Sequence, residues 1–310
     1  MLPAALGAFL AQWLWAVFTV CASAAQTARN AMQRDLTRTL GTAGATHVRF
    51  LFALPFACAI ATFLTFGLEK KFPAFDFVSL AWTAGGAATQ AIATALMLAG
   101  MKQRSFSVMV AYTKTEPVFI ALIAVSILQE ALSFMALAAV FIATAGVMLM
   151  SWPQQRDAAH TGASLDWRPA VMGLASGLFF ALSANCYRAA LLRAGTGDVL
   201  MDASAVMLMG QAMQAAAILV WLIAFDRPLL AAIAREWKRS LFAGSMGALA
   251  SLFWFMAFAL ISAAKVRTLA LIEVPMALFV ARGIFNQITT AREIAGMTMI
   301  AFGIVLLLNG

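Results

Sequence analysis

The chain has 310 residues, 63% of them hydrophobic and 11% charged, with a mean hydropathy of +0.89 and a formal net charge of +8. A soluble domain carries about a quarter charged residues, so this composition excludes an ordinary soluble fold. The basic residues lie between apolar blocks of about 20 residues, the length that crosses roughly 30 Å of hydrocarbon, which argues for a polytopic membrane protein and against a nucleic-acid partner.

The first block, Ala4 to Ala25, has no Lys or Arg before it, so it lacks the basic leading region of a signal peptide and reads as a membrane span. Nine more follow, at 46–67, 77–100, 106–128, 132–151, 168–191, 203–225, 240–261, 266–285 and 293–309, the first being 4–26. The third holds "TAGGAATQAIATALMLAG" (Thr83 to Gly100), whose small residues let helices approach closely, with Gln90 among them. The fourth carries Tyr112, Lys114, Glu116 and Pro117 within an otherwise apolar run. The sixth ends in "ALSANCYRAAL" (Ala181 to Leu191), with Asn185 and Arg188; the seventh holds Gln211 and Gln214, expected to join helices by hydrogen bonds. The eighth is aromatic at Phe253, Trp254 and Phe255, and the ninth carries Glu273 and Pro275. Cys21, Cys58 and Cys186 form no CxxC pair and are expected as buried free thiols. With His47 and His160 alone there is no metal-ligand cluster, and no nucleotide-binding or hydrolase motif occurs, so neither a cofactor nor an enzymatic reaction is expected.

The polar segment Trp152 to Pro169 divides the chain into five spans before it and five after. Sliding residues 105–150 along by 157 positions sets Glu116 on Glu273, Gly146 on Gly303 and Leu149 on Leu306, with Pro117 and Pro275 one place apart. An odd number of spans per half turns the second half over in the membrane, giving an inverted repeat with a solute site near mid-bilayer. The expected domains are therefore 1–151 and 168–310, each a five-helix repeat, joined by a linker at 152–167. The fold class is an all-α membrane protein of ten transmembrane helices.

The fourth span ending in "PVFIALIAVSILQE" (Pro117 to Glu130), the small-residue fifth span "MALAAVFIATAGVMLM", the "HVRFLFALPF" opening of the second and "ALSANCYRAAL" in the sixth resemble the drug/metabolite transporter superfamily, EamA-type branch. The resemblance implies a multi-pass carrier of the bacterial cytoplasmic membrane, and it favours export. The second copy departs from it in having Gln287 where Glu130 would repeat. The partners expected are a small-molecule solute, the lipid bilayer and protons, with the protein a monomer or a weak homodimer.

A charge at the bilayer centre costs about 2.5–3.5 kcal/mol, so such residues face a cavity or a partner. Glu116 is a candidate to bind a cationic group, to exchange protons, or to pair with Arg188 or Lys114 of a neighbouring span. Lys114 and Glu116 stand two apart and point in different directions, whereas Tyr112 and Glu116 share a helical face. Glu273 is the second acidic candidate, for substrate or for a coupling proton. Arg188 or Lys114 would hold a carboxylate, Asn185 and Gln90 would line the path, and Pro117 and Pro275 would act as hinges. Trp13, Trp15 and the aromatic trio of the eighth span are further candidates for a pocket wall. Fourteen Lys and Arg residues follow the odd-numbered spans and six follow the even-numbered ones. By the positive-inside rule both termini lie outside, whereas the family resemblance implies both inside. The function expected is secondary transport of an amino acid or related metabolite by alternating access; a proton-coupled drug exporter and a lipid or amphiphile translocase are the alternatives.

Overall fold

Runs rich in Ala, Leu, Met and Phe, with proline confined to a few positions, favour helix wherever the backbone must satisfy its own hydrogen bonds. The structure, a computed structural model, describes residues 2–103, 112–126, 133–151, 168–273, 276 and 291–308. Its helices are α1 (Leu2–Leu51), α2 (Leu54–Thr62, continued by a π-turn at Phe63–Gly67), α3 (Phe77–Gln103), α4 (Glu116–Ser126), α5 (Phe134–Ser151) and α6 (Arg168–Ala194). They continue as α7 (Val199–Phe225), α8 (Arg227–Arg235), α9 (Trp237–Leu260), α10 (Ala263–Leu269, prolonged by a 3-10 turn at Ala270–Ile272) and α11 (Ala291–Leu308). No strand occurs among the described residues. Four stretches, Asp35–Gly67, Ala170–Ala194, Val199–Phe225 and Trp237–Leu260, are long and apolar enough to cross a membrane; Phe134–Leu149 and Ile294–Leu307 are shorter apolar helices. Pro275, His160, Glu130, Gln287 and the linker at 152–167 lie outside the described residues.

One boundary differs from expectation. The connection anticipated between the first two blocks is helical: α1 runs on through it and is broken at Gly41, where φ is 66° and ψ is −175°. That backbone region is essentially closed to residues with a side chain. The helix persists because this stretch buries Arg29, Gln33, Leu36 and Leu40 instead of looping into water.

The distribution of residues is that of a protein solvated by lipid. Phe66, Phe77, Phe134, Val220 and Phe225 point outward, while Ala, Ser and Thr fill much of the interior. Without a hydrophobic gain between helices, close packing of small residues holds them together. The three cysteines are free, but Cys21 and Cys58 stand on the exposed surface, not in the interior as expected.

Two compact units are formed, one from Met1–Ala91 with Ser183–Val266, the other from Ile92–Leu182 with Arg267–Gly310. In the first, Tyr187 of α6 is a central packing element. Its ring lies 4.5 Å from that of Phe255 on α9, and it fills the space that Gly86 of α3 and Gly210 of α7 leave open. In the second unit α5 packs along α11. A methyl group at Gly146 would stand 2.7 Å from the Gly296 carbonyl, and one at Gly303 would stand 2.9 Å from the Ala139 carbonyl. These two contacts are reciprocal at the same 157-residue offset, 139 with 296 and 146 with 303. Ala143, Val147, Ile300 and Leu271 form a core cluster there, which anchors the 3-10 turn just before Glu273.

At the end of α3 opposite Gln103, Asp76 receives the Ser79 amide at 2.8 Å and the Arg193 Nε at 2.7 Å. Arg193 beside it, with the Ser79 hydrogen bonds, holds its carboxyl well below the usual carboxylate range. Lys70 pairs with Asp198, which caps α7 by accepting from the Met201 amide, and this pairing lowers the Asp198 carboxyl as well.

Two outcomes follow from this frame. Gly41→Ala should destabilise the fold by about 1–3 kcal/mol, because alanine is forced into a glycine-only conformation; thermal unfolding followed by helical circular dichroism measures it. Both depressed carboxyls contribute stability that is fully present above the ordinary carboxylate pKa and lost as pH falls through the folded-state value. The melting temperature should therefore hold through weakly acid pH and fall in strongly acid solution, and Asp76→Asn should flatten that acid limb.

Candidate functional site

Two interrupted helical segments in the second unit carry its buried charge. At the first, residues 112–113 are helical, Lys114 and Thr115 form a turn, and α4 begins afresh at Glu116. Pro117 falls in the first turn of α4, where its missing N–H removes no helical hydrogen bond and its fixed φ suits the helix. It opens the helix that follows the break at 114–115. The turn is closed by the Thr115 hydroxyl, which donates to the Tyr112 carbonyl at 2.7 Å. Glu116 occupies the helix N-terminus, where the dipole favours an anion.

The second segment is α10 with its 3-10 turn, which leads into Glu273. Arg267 stands six residues earlier in "VRTLALIE". The two segments meet through their charges. The Lys114 ammonium donates to Glu273 Oε2 at 2.7 Å, and Arg267 Nε lies 3.2 Å from Glu116 Oε1. Each acid is neutralised by a base from the other segment. The side chains are 6% to 12% exposed, so the attraction acts at low dielectric and the charges have lost most of their water.

Close approach of α6 makes this arrangement sterically feasible. A methyl group at Gly173 would stand 2.4 Å from Tyr112 Cβ, and one at Gly177 would stand 3.1 Å from Thr115 Oγ1. The two glycines, one helical turn apart, form a groove that seats residues 112–116. Ser176 between them donates to the Ala93 carbonyl at 2.8 Å and ties α6 to α3.

The structure therefore brings together three of the sequence candidates, Lys114, Glu116 and Glu273, and adds Arg267, which sequence reasoning assigned to a loop. The basic residue that the structure sets beside Glu116 is Arg267. Tyr112 packs on Gly173, and the turn at 114–115 ends the helical face it was expected to share with Glu116.

The remaining candidates lie in the first unit. Arg188 donates to the carbonyls of Phe258 and Ile261, at 2.6 Å for Ile261, and so closes the C-terminus of α9. Gln90 accepts from Gln214 Nε2 at 2.8 Å, and Gln214 also donates to the Ala87 carbonyl, joining α3 to α7 as expected of Gln214. Asn185 is buried on α6. The aromatic residues pack on one another: Phe18 stacks on Phe253, and Trp254 lies against Phe258 while its indole N–H donates to Gln26.

No family model matches the sequence, and no curated protein matches it. The chain is similar to a solved structure described as "Crystal structure of protein", with a TM-score of 0.69 over 96% of this chain and 97% of that one, at 13% identity. At that identity the likeness shows a shared fold alone.

Removing one member of a buried ion pair strands the other and costs about 3–5 kcal/mol, whereas replacing both by apolar residues is near neutral. Lys114→Met should therefore lower the melting temperature markedly. Adding Glu273→Leu should restore most of the loss, as measured by thermal unfolding in detergent.

Proposed function

We propose that this chain is a secondary transporter of the drug/metabolite type, moving a small organic solute by alternating access. It would be built as ten membrane-spanning helices in two inverted five-helix repeats. The observation that carries this reading is the crossed pairing of Glu116 with Arg267 and of Lys114 with Glu273, between the helix break at 114–115 and the helix that a 3-10 turn prolongs to Glu273. Buried charge inside membrane spans marks solute and ion pathways, and interrupted helices supply such sites in transporters. The two acids fall on one another at an offset of 157, and the Gly146 and Gly303 contacts reciprocate at the same offset, which supports the repeat.

An amphoteric solute suits the chemistry. Its amine would compete with Lys114 or Arg267 for a carboxylate, and its carboxylate would compete for the released cation. The pairs would then act as a latch that the solute opens, with Glu116 and Glu273 as the groups able to take up a coupling proton. The sequence contains no nucleotide-binding motif, so the driving force is a gradient or an exchanged solute. Amino acids are the substrate class and export the direction, the latter resting on family resemblance.

Orientation follows the charge count. Arg29, Arg49 and Arg267 are buried and so are not loop charges; removing them leaves twelve against five, and the bias still places both termini outside.

The test is solute counterflow in proteoliposomes, with lipid scrambling followed in parallel. Wild type should exchange amino acids saturably. Glu116→Gln strands Arg267, so it is compared with the double variant Glu116→Gln/Arg267→Gln. Flux should fall at least about tenfold, equivalent to roughly 1.4 kcal/mol, in both, while the double variant regains stability. Normal flux in the double variant would remove the latch, and headgroup scrambling without solute flux would replace the carrier by a lipid translocase.

A further inference from the structure

Between α7 and α9 the chain makes a short detour, α8, whose chemistry the ion pairs do not use. Both neighbours are long and apolar enough to cross a membrane. A helix of nine residues is about 14 Å long, too short for roughly 30 Å of hydrocarbon, so α8 lies at a bilayer surface when its neighbours span. Its sequence, "RPLLAAIAR", is two-sided. Ile233 is buried, and a methyl group at Gly44 of α1 would stand 3.2 Å from Leu229 Cδ1. The other side exposes Arg227, Ala231, Ala234 and Arg235, the layout of a helix lying in the plane of the interface.

Aromatic residues mark the same level. Trp221 and Phe225, exposed at the end of α7, have ring centroids 5.8 Å apart. Trp237, exposed at the first position of α9, lies under the Lys238 ammonium, which stands 5.7 Å from the ring centroid. Exposed tryptophans at the ends of spans belong at the boundary between acyl chains and headgroups. The charges beside them do not cancel. Arg239 lies 3.5 Å from Asp35 and 3.8 Å from Glu236, and so answers both acids. Arg227 follows Asp226 in the chain, and its Nε donates to the Ile223 carbonyl at 2.8 Å. Arg235 and Lys238 remain exposed, and neither forms an ion pair with a described residue.

We propose that Arg235, Trp237 and Lys238 form a binding site for the headgroup of an anionic phospholipid. The chain turns at Glu236 between α8 and α9, and the Ser240 amide donates to the Glu236 carbonyl at 3.0 Å across that turn. The two cations thus stand close in the chain on either side of one tryptophan. The Arg235 guanidinium matches a phosphodiester with paired N–H donors, and Lys238 adds a compact point charge. Trp237 rests against the glycerol and the first methylenes of the acyl chains, and the exposed side chains of Leu241 and Phe242 continue that apolar surface along α9. A zwitterionic headgroup brings a cation of its own to the same place, so the site selects a net negative lipid. The site rests on the apolar spans and not on the transport reading.

The experiment counts lipid bound to the purified full chain in neutral detergent by native mass spectrometry. Dioleoyl phosphatidylglycerol and dioleoyl phosphatidylcholine are the probes, with glycerol phosphate as the soluble headgroup. The apparent Kd for phosphatidylglycerol should be at least about tenfold below that for phosphatidylcholine, and the preference should vanish in Arg235→Gln/Lys238→Gln. Both side chains are exposed and their removal strands no acid, so the double variant should fold. Lys71→Gln, which removes an exposed cation next to the Lys70–Asp198 pair at the other end of α7, should leave the preference intact. In parallel, the rise in wild-type melting temperature on adding phosphatidylglycerol should shrink as salt screens the exposed charges. Equal affinity for the two lipids, a preference that survives the double variant, an equal loss in Lys71→Gln or a salt-insensitive rise overturns the site. Displacement of the lipid by glycerol phosphate at matching concentration would replace it with a site for soluble phosphates. None of these readouts involves solute flux, so the site and the transport reading fail separately.

Discussion

A charge that leaves water for a low-dielectric interior loses several kcal/mol of hydration, and an opposite charge held at contact distance recovers much of it. Lys114, Glu116, Arg267 and Glu273 are arranged under that constraint. Their two ion pairs require that residues 112–116 and 267–273 lie side by side, that the first segment leaves regular helix at Lys114 and Thr115, and that α6 present glycine at 173 and 177 to admit the turn. Around them the packing of small residues, from Ser176 on Ala93 to Gly146 and Gly303 between α5 and α11, sets the backbones close enough for the charges to meet. In lipid, where hydrophobic burial between helices contributes little, this combination of polar contact and small-residue packing is what holds the helices in register.

The same constraint bears on the transport proposal. Well-packed apolar residues would stabilise these positions as effectively as buried pairs do, so stability alone does not account for the pairs. In that proposal each ion pair has two outcomes, closed on its internal partner or opened by a competing charge. That bistability is what an alternating-access carrier needs, and a continuous apolar helix does not offer it. Arg188 illustrates the contrast: its bonds to the last carbonyls of α9 satisfy a helix end.

The first unit answers the problem of buried polarity differently. Tyr187 and its glycine neighbours pack to high density, and the Gln90–Gln214 hydrogen bond joins α3 to α7. Where α1 turns through Gly41, Gln33 donates to the Ala45 carbonyl, and Arg29 packs against Gly247 of α9.

The sequence by itself determined the membrane class, most of the helical blocks and the presence of charge inside the fourth and ninth blocks, because hydropathy and length are local quantities read within about 20 residues. It singled out Lys114, Glu116 and Glu273 for the same reason: an isolated charge in an apolar run is visible without knowing its neighbours. Only the tertiary structure decided which charges pair. Arg267 and Arg29 read as loop cations because they stand near the ends of apolar blocks, and it takes the packing of distant segments to show that both are buried. The continuous helix through residues 27–40 and the break at Gly41 were likewise hidden. Whether a charged stretch faces water or another helix depends on what packs against it, and that partner lies more than 200 positions away along the chain at Trp237–Leu260.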